Sequence, residues 1–185
     1  MKKIPTIFVR DFSQKGAPIT TEWHPDALWV RDGLGTPTVK WDGTACLWDG
    51  TLLWKRREVK AGDPIPAGFQ VSGTDDETGK QVGWLPVDDS PNDQWHREVR
   101  DNNRFMRCIK VIGTFELVGP KINGNKHALT EHWLIKHGDG SHDDAPRTYD
   151  GLKEWLAGHN LEGLVWHHPD GRMAKIKRRD FGLPW

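Results

Sequence analysis

Short stretches in which apolar and polar residues alternate dominate the chain, and this is the pattern of half-buried β-strands. Glycine, proline and aspartate, which favour turns, separate these stretches. The alternation predicts strands at residues 4–12, 44–48, 51–57, 81–87, 106–118, 133–137, 161–166 and 173–177, and one more that carries Lys40. Asp49-Gly50 lies between two of them and is a strong signal for a tight hairpin.

Two segments have helical spacing instead. In residues 148–158, Leu152, Trp155 and Leu156 stand three and four positions apart, as on one face of a helix. Ser90 begins the other predicted helix as its N-cap, and this helix runs to about residue 101. Residues 61–89 form a long connection rich in glycine, proline and aspartate, and residues 138–146 form an acidic loop that we expect to be exposed. Strands that outnumber helices predict an α+β fold.

The period of two in a strand also sorts charged residues by face. Lys175 and Lys177 point to one side of their strand, while Ala174 and Ile176 point to the other. Two lysines side by side repel each other unless an anion lies between them, and phosphate is a natural partner. An exposed edge strand that uses lysine to prevent aggregation is the alternative interpretation.

Glu116 lies in the middle of another predicted strand, opposite in face to Phe115 and Leu117. A carboxylate there belongs at a cleft or an edge and not in a dry core. Glu162 opens the strand of residues 161–166 in a similar way. A solvent-facing strand residue explains Glu116 equally well when that segment is considered alone.

Lys40 is the candidate nucleophile, because it comes two residues before an Asp-Gly-Thr turn. A free lysine has a pKa of about 10.4, and burial and neighbouring cations lower this value. The hypothesis therefore requires other lysines to converge on Lys40. The plain alternative is a hairpin turn, since Trp48-Asp49-Gly50-Thr51 repeats the sequence Trp41-Asp42-Gly43-Thr44 without a lysine before it.

Composition limits the classes of function that the chain can have. The 26 basic and 26 acidic residues balance, so a polyanion site must be a local patch and not a basic surface throughout. The eleven tryptophans either pack in the core or stack on bases. Cys46 and Cys108 have neither a metal-binding spacing nor a disulfide framework, which favours a reducing, cytoplasmic compartment. No apolar run is long enough for a signal peptide or a membrane span.

Four stretches, taken in order, resemble motifs of the covalent nucleotidyltransferases, the superfamily of ATP-dependent DNA ligases, RNA ligases and mRNA-capping guanylyltransferases. Lys40-Trp41-Asp42-Gly43-Thr44 is similar to the nucleophile motif. The third, fourth and fifth motifs resemble Phe115-Glu116-Leu117-Val118-Gly119, Leu161-Glu162-Gly163-Leu164-Val165 and Ala174-Lys175-Ile176-Lys177. The stretch 116–125 and Trp84-Leu85-Pro86 are most similar to an RNA ligase branch typified by a compact vertebrate enzyme, which seals a 5′-phosphate to a 3′-hydroxyl.

The resemblance implies a fold of twisted antiparallel sheets that flank a nucleotide cleft, with a single domain over residues 1–185. DNA ligases and capping enzymes carry an OB-fold domain after the fifth motif, whereas only eight residues follow Lys177 here, so no OB-fold domain is expected. Thr44-Ala45-Cys46 also lacks the arginine that DNA ligases place after the glycine. Both departures favour RNA ligation over DNA sealing and capping.

The implied activity is an ATP-dependent RNA ligase that works through a lysyl-AMP and an adenylylated RNA end, acting as a monomer on RNA 5′-phosphate and 3′-hydroxyl ends. Lys40 would be the nucleophile, and Lys175 and Lys177 would neutralise the α-phosphate. The metal, Mg²⁺ or Mn²⁺, would be held by Glu162 and Asp42. The expected ATP-binding residues are Thr38, Val39, Lys40, Arg57, Glu116, Trp133, Lys175 and Lys177, with Glu116 on the ribose and Trp133 stacked on adenine.

Two other functions stay open at this point. One is a capping guanylyltransferase that uses GTP. The other is a non-catalytic RNA-binding module, in which the basic strand and the tryptophans form a stacking groove. The second alternative gives no reason for the carboxylates that lie in the strands beside the lysines.

Overall fold

A computed structural model describes residues 4–76, 78–102 and 111–185 of the chain. The described residues separate into two compact units. The six-stranded unit comprises residues 42–137, and the three-stranded unit comprises residues 4–41 together with Gly138–Trp185. In the described part of the chain, no helix has both the length and the apolar character needed to cross a membrane.

The six-stranded unit is built on one antiparallel sheet and one α-helix among its described residues. Its strands are β4 (Thr44–Trp48), β5 (Leu53–Val59), β6 (Gln70–Thr74), β7 (Gln81–Pro86), β8 (Gly113–Val118) and β9 (Trp133–Lys136), in the spatial order β6-β7-β5-β4-β8-β9. The helix α2 spans Gln94–Asp101. The apolar core of the six-stranded unit includes Cys46, Leu53, Val99 and Leu117.

The three-stranded unit takes its name from the antiparallel sheet β11-β10-β3. The strands of this sheet are β3 (Thr36–Lys40), β10 (Gly163–His167) and β11 (Met173–Lys177). A hairpin-like pair, β1 (Phe8–Arg10) and β2 (Ile19–Trp23), and the helices α1 (Leu28–Arg31) and α3 (Tyr149–Gly158) complete the unit. One apolar cluster, with Trp166, Leu152 and Leu164 at its centre, packs against one face of the sheet.

Most predicted elements are present, and the predicted α+β class agrees with mostly antiparallel sheets and few helices. The helix of residues 148–158 is confirmed: Thr148 Oγ1 accepts a hydrogen bond from the Gly151 amide at 3.2 Å, and Leu152 and Leu156 are fully buried. The hairpin at Asp49-Gly50 is also confirmed, with Trp48 opposite Leu53. The prediction of one domain over residues 1–185 stays a prediction.

Other details differ from the sequence prediction. The first predicted strand shortens to β1, and β6 lies in the long connection of residues 61–89, in a part for which no strand was predicted. Ser90 makes no side-chain capping bond; a 3-10 turn over Pro91–Asp93 precedes α2. The part of the predicted strand 106–118 before residue 111 lies outside the described residues, as does Cys108.

Candidate active site

Register across the three-stranded sheet aligns two of the predicted lysines. Gly163 in β10 lies opposite Lys40 of β3 on one side and opposite Lys177 of β11 on the other. Residues directly opposite each other in an antiparallel sheet point to the same face. Because glycine has no side chain, nothing from β10 separates the two lysine side chains.

Gly163 is also required by the close approach of the strands. A Cβ atom at this position would overlap the carbonyl oxygen of Ile176 and would lie 2.8 Å from the Cα of Lys177. The row Lys40–Gly163–Lys177 is therefore a consequence of the packing of β10 against β11.

The carboxylate of Glu162 contacts both lysine side chains. Its Oε1 atom lies 2.6 Å from Nζ of Lys177, and Nζ of Lys40 donates a hydrogen bond to its Oε2 atom. The Glu162 side chain is 8% exposed, against 21% for Lys40 and 14% for Lys177, so solvent screens this arrangement only weakly. The carboxylate thus holds two ammonium groups at the end of β10.

Lys175 adds a third cation on the same face, opposite Val165 and two residues before Lys177. Burial, together with the charges of Lys177 and Lys40, lowers the pKa of Lys175 to about 8, although Asp180 and Glu162 act in the opposite direction. The structure therefore brings Lys40, Lys175 and Lys177 to one face of the sheet, with Glu162 in contact with Lys40 and Lys177. The convergence of lysines on Lys40 was expected from the sequence, whereas their contact with Glu162 was not, and the roles of these residues stay predictions. We call these four residues the lysine–glutamate cluster.

Irregular segments cover both edges of the sheet that carries the cluster. At the β11 edge, the Ile7 amide donates to the Lys175 carbonyl and the Lys175 amide donates to the Pro5 carbonyl, each at 2.9 Å. At the β3 edge, the Val39 amide donates to the Gly140 carbonyl at 3.0 Å. The loop of residues 138–146, predicted to be simply exposed, is thus bonded to the strand that carries Lys40.

Glu116 lies in β8 of the six-stranded unit, and its side chain is 14% exposed. Its Oε1 atom accepts a hydrogen bond from the Gly43 amide at 3.2 Å, and its Oε2 atom lies 2.8 Å from Nε2 of His137. Phe115 and Leu117, which alternation places on the other face of β8, are both buried.

Asp42 also belongs to the six-stranded unit, where side chains fix the turn that it begins. Asn123 donates from Nδ2 to Asp42 Oδ1 at 2.9 Å and to the Gly43 carbonyl at 2.8 Å. The Asp42 amide donates to Nε2 of His127 at 2.9 Å. The role of Asp42 as a metal ligand stays a prediction.

The remaining predicted ATP-binding residues occupy different environments. Thr38 is 2% exposed and donates from Oγ1 to the Val165 carbonyl at 3.2 Å, while Val39 packs against the apolar cluster of its unit. Arg57 is exposed in β5, and Trp133 is 37% exposed in β9. These four assignments stay predictions.

His137, Asn123 and His127 were not assigned any role from the sequence. Their contacts join residues 21, 80 or 81 and 85 positions apart along the chain. Such contacts depend on strand register and loop conformation, and Asn123 adopts a left-handed φ of 44°. The one signal in the sequence was that His137 ends the predicted strand of residues 133–137, 21 positions after Glu116.

The donor set of the lysine–glutamate cluster limits the metals that it could hold. Among the described residues, no three or more His, Cys, Asp or Glu side chains are grouped as a metal site. Magnesium commonly binds one or two carboxylates and completes its shell with water and substrate phosphates. Glu162 fits such a site, provided that the metal competes with the ammonium groups that now contact the carboxylate.

Residues 108–185 match a family model described as RNA ligase 1. Similar proteins named RNA ligase 1 occur in Pongo abelii, with 30% identity over 71% of this chain and 47% of that protein, and in Rattus norvegicus, with 28% identity over the same shares. The protein of that name in Danio rerio is 28% identical over 70% of this chain and 46% of its own length.

These similarities support RNA ligases as relatives of the chain, which spans about half the length of the curated relatives it matches. The family match includes Glu116, Glu162, Lys175 and Lys177, whereas Lys40 lies outside its bounds. The assignment of Lys40 therefore depends on the geometry of the cluster and on the resemblance of its motif.

Proposed function

We propose that the chain is an ATP-dependent RNA ligase of the covalent nucleotidyltransferase type, with Lys40 as the nucleophile. It would join RNA 5′-phosphate and 3′-hydroxyl ends. The observation that carries the proposal is the convergence of Lys40 and Lys177 on Glu162, with Lys175 on the same face. Three ammonium groups around one carboxylate leave an excess of positive charge that a triphosphate can neutralise.

In the first step, the neutral Lys40 amine attacks the α-phosphorus of ATP. A phosphorus–nitrogen bond forms, the bond between the α-phosphorus and its bridging oxygen breaks, and pyrophosphate leaves with the bonding electrons. The nitrogen releases one proton to solvent, which leaves a neutral P–NH linkage. Lys175 and Lys177 stabilise the charge that develops on the phosphate oxygens, which is the main contribution a protein makes to phosphoryl transfer. Burial lowers the pKa of Lys175 to about 8, and the charges of Lys177 and Lys40 act in the same direction.

Two further transfers at phosphorus complete the reaction. An oxygen of the RNA 5′-phosphate attacks the AMP phosphorus, and the bond to Lys40 Nζ breaks, which returns the amine. The RNA 3′-hydroxyl, after losing its proton, then attacks the 5′-phosphate and releases AMP. Both transfers develop charge on phosphate oxygens, so the same lysines serve them.

Glu162 would hold Mg²⁺ or Mn²⁺ through water, and the bound ion would supply additional positive charge to the phosphates. In the six-stranded unit, the resemblance assigns Glu116 to the ribose, Trp133 to adenine, and Arg57 to ribose or phosphate. Asp42 is the second candidate for the metal, and Thr38 and Val39 complete the proposed ATP-binding set.

Intact-mass measurement after incubation with ATP and Mg²⁺ tests the proposal. We expect an AMP adduct that digestion maps to Lys40, and that is absent in Lys40→Ala but present in Lys153→Ala, which alters an exposed lysine of the same unit. Sealing of RNA ends should follow, with little sealing of the matching DNA ends.

Three outcomes would overturn the proposal. A GMP adduct without an AMP adduct would indicate a capping guanylyltransferase. RNA binding that Lys40→Ala leaves unchanged, without any adduct, would indicate a non-catalytic RNA-binding module. An adduct on a residue other than Lys40 would refute the assignment of the nucleophile.

A further inference from the structure

We propose that His137 is a positioning residue, which fixes the Glu116 carboxylate so that it can accept hydrogen bonds from both ribose hydroxyls of the nucleotide. This inference rests on the proposed function and adds to it a residue and a ligand preference. All the contacts that carry it lie within the six-stranded unit.

The carboxylate is held at both oxygen atoms. The Gly43 amide donates to Oε1 at 3.2 Å, and His137 Nε2 lies 2.8 Å from Oε2. An ionised carboxylate has about four acceptor positions, so two are left for a ligand. The 14% exposure of the Glu116 side chain leaves room for that ligand to approach.

The second ring nitrogen of His137, Nδ1, also has a hydrogen-bond partner. Nδ1 lies 2.9 Å from Oγ1 of Thr114. Because an ionised carboxylate only accepts hydrogen bonds, Nε2 must donate to Glu116; Nδ1 of the neutral ring then accepts from the Thr114 hydroxyl. The Glu116 carboxylate thus requires the Nε2–H tautomer, and the Thr114 hydroxyl, which can donate or accept, satisfies Nδ1 of that tautomer.

The backbone holds the imidazole in place between these two partners. Thr114 and Glu116 are two residues apart in β8 and therefore share one face of the strand. The His137 amide donates to the Thr114 carbonyl at 3.1 Å, directly after β9 pairs with β8 through Lys136 and Phe115. The ring therefore spans from Thr114 to Glu116 along the strand and leaves the carboxylate little rotational freedom.

Gly43 completes the arrangement from the opposite side. A Cβ atom at this position would overlap the Leu117 carbonyl and would lie 2.8 Å from Cγ of Glu116. The amide can therefore reach Oε1 only if residue 43 is glycine. Two fixed donors on two different oxygens define where the remaining lone pairs point.

A carboxylate fixed in this way suits a ligand with two neighbouring hydroxyl groups, such as the 2′- and 3′-hydroxyls of a ribonucleotide. A nucleotide that lacks one hydroxyl leaves a buried acceptor unpaired, and sites built on hydrogen bonds reject such analogues strongly. We therefore infer a preference for ribonucleoside triphosphates over their 2′-deoxy and 3′-deoxy forms, and we assign this preference to Glu116 as oriented by His137.

The test compares the rate of lysyl adduct formation with ATP, 2′-deoxy-ATP and 3′-deoxy-ATP over a range of concentrations. The unmodified chain should prefer ATP over each analogue by about tenfold to hundredfold, the range expected for one hydrogen bond to a charged group. In His137→Ala, the KM for ATP should rise about tenfold and the preference should fall to about that of Glu116→Gln, while the rate at saturating ATP changes little.

His137→Gln should recover most of the preference, because its amide can donate to Glu116. His132→Gln is the matched control, because His132 also lies 2.8 Å from a glutamate of the same unit, Glu98. This variant should leave the preference intact. Thr114→Val, which removes only the hydroxyl that donates to Nδ1 of His137 and so helps to hold the ring, gives a second variant if His137→Ala folds poorly.

The outcomes separate this inference from the proposed function. If no nucleotide forms an adduct with the unmodified chain, the proposed function fails. If the adduct forms but His137→Ala and Thr114→Val slow all three nucleotides equally, His137 has only a structural role and the inference is overturned. The same holds if the unmodified chain does not distinguish ATP from the deoxy forms.

Discussion

Replacing Lys175 with methionine should stabilise the folded chain at neutral pH, because the lysine–glutamate cluster holds more positive charge than its carboxylate offsets. The pKa of Lys175 falls from 10.5 to about 8 on folding, through burial first and then through Lys177 and Lys40. A drop of this size corresponds to about 3 kcal/mol of unfolding free energy. Because solvent partly screens the side chain, we expect a gain of about 1–2 kcal/mol from Lys175→Met.

The gain should depend on pH in a defined direction. Below the folded pKa of about 8, Lys175 is protonated in both states and the full cost of its charge is present. Between that value and 10.5 the unfolded state binds more protons, so the stability of the unmodified chain rises with pH. Above 10.5 both states are neutral and the advantage of the methionine variant should disappear.

Urea denaturation of both proteins near pH 7 and near pH 10.5 measures the difference, and Lys153→Met in α3 provides an exposed control. The stabilised variant should also lose adduct formation with ATP. The reasoning is refuted if Lys175→Met is no more stable than the unmodified chain at neutral pH, or if its advantage persists at the alkaline pH.

Three further predictions concern residues that pack or pair within a single unit. Gly163→Ala should destabilise the fold by about 1–3 kcal/mol, visible as a lower melting temperature, because its methyl group would overlap the Ile176 carbonyl. Complete burial raises the pKa of the Cys46 thiol, so alkylation of this residue, followed by mass spectrometry, should require denaturant; modification in native buffer would contradict this. Asp93→Asn should cost about 3 kcal/mol in urea denaturation, because it leaves Lys55, 2.5 Å away and 16% exposed, unpaired; an unchanged midpoint would contradict the burial argument.

The strands that carry the cluster could be predicted because their signals are local. Alternation around Lys175 and Lys177 determines which face each side chain takes, and no tertiary information is needed for that. Glu162 could be named as a site residue only through the resemblance, because its contact with Lys40 joins residues 122 positions apart. Periodicity contains no information about such a distance.

The contacts that were missed depend on register or on irregular backbone. The hydrophobic pattern disfavours a slip of one residue between β8 and β9, but a slip of two residues keeps the same faces and would still separate Glu116 from His137. Alternation alone therefore does not predict this contact. The bridge that joins Pro5 and Ile7 to Lys175 is parallel. All three residues lie in predicted strands, but alternation does not indicate which strands pair or in which direction. The loop at Gly140 contains acidic residues and glycine, which indicate a loop without indicating what it contacts.

The distribution of charge in the three-stranded unit shows how a chain with no net charge would bind the polyanion that we propose as its ligand. Three lysines meet one carboxylate, and the neighbouring acid, Asp180, is already paired with Arg10 and accepts from the Lys177 amide at 2.8 Å. A second acid in the cluster would stabilise the free protein but would remove the excess charge that attracts phosphate. Lys175 bears the cost of its position, because burial first, and then the charges of Lys177 and Lys40, lower its pKa. Stability and phosphate binding therefore depend on the same ratio of cations to anions, and a change that improves one of them should weaken the other.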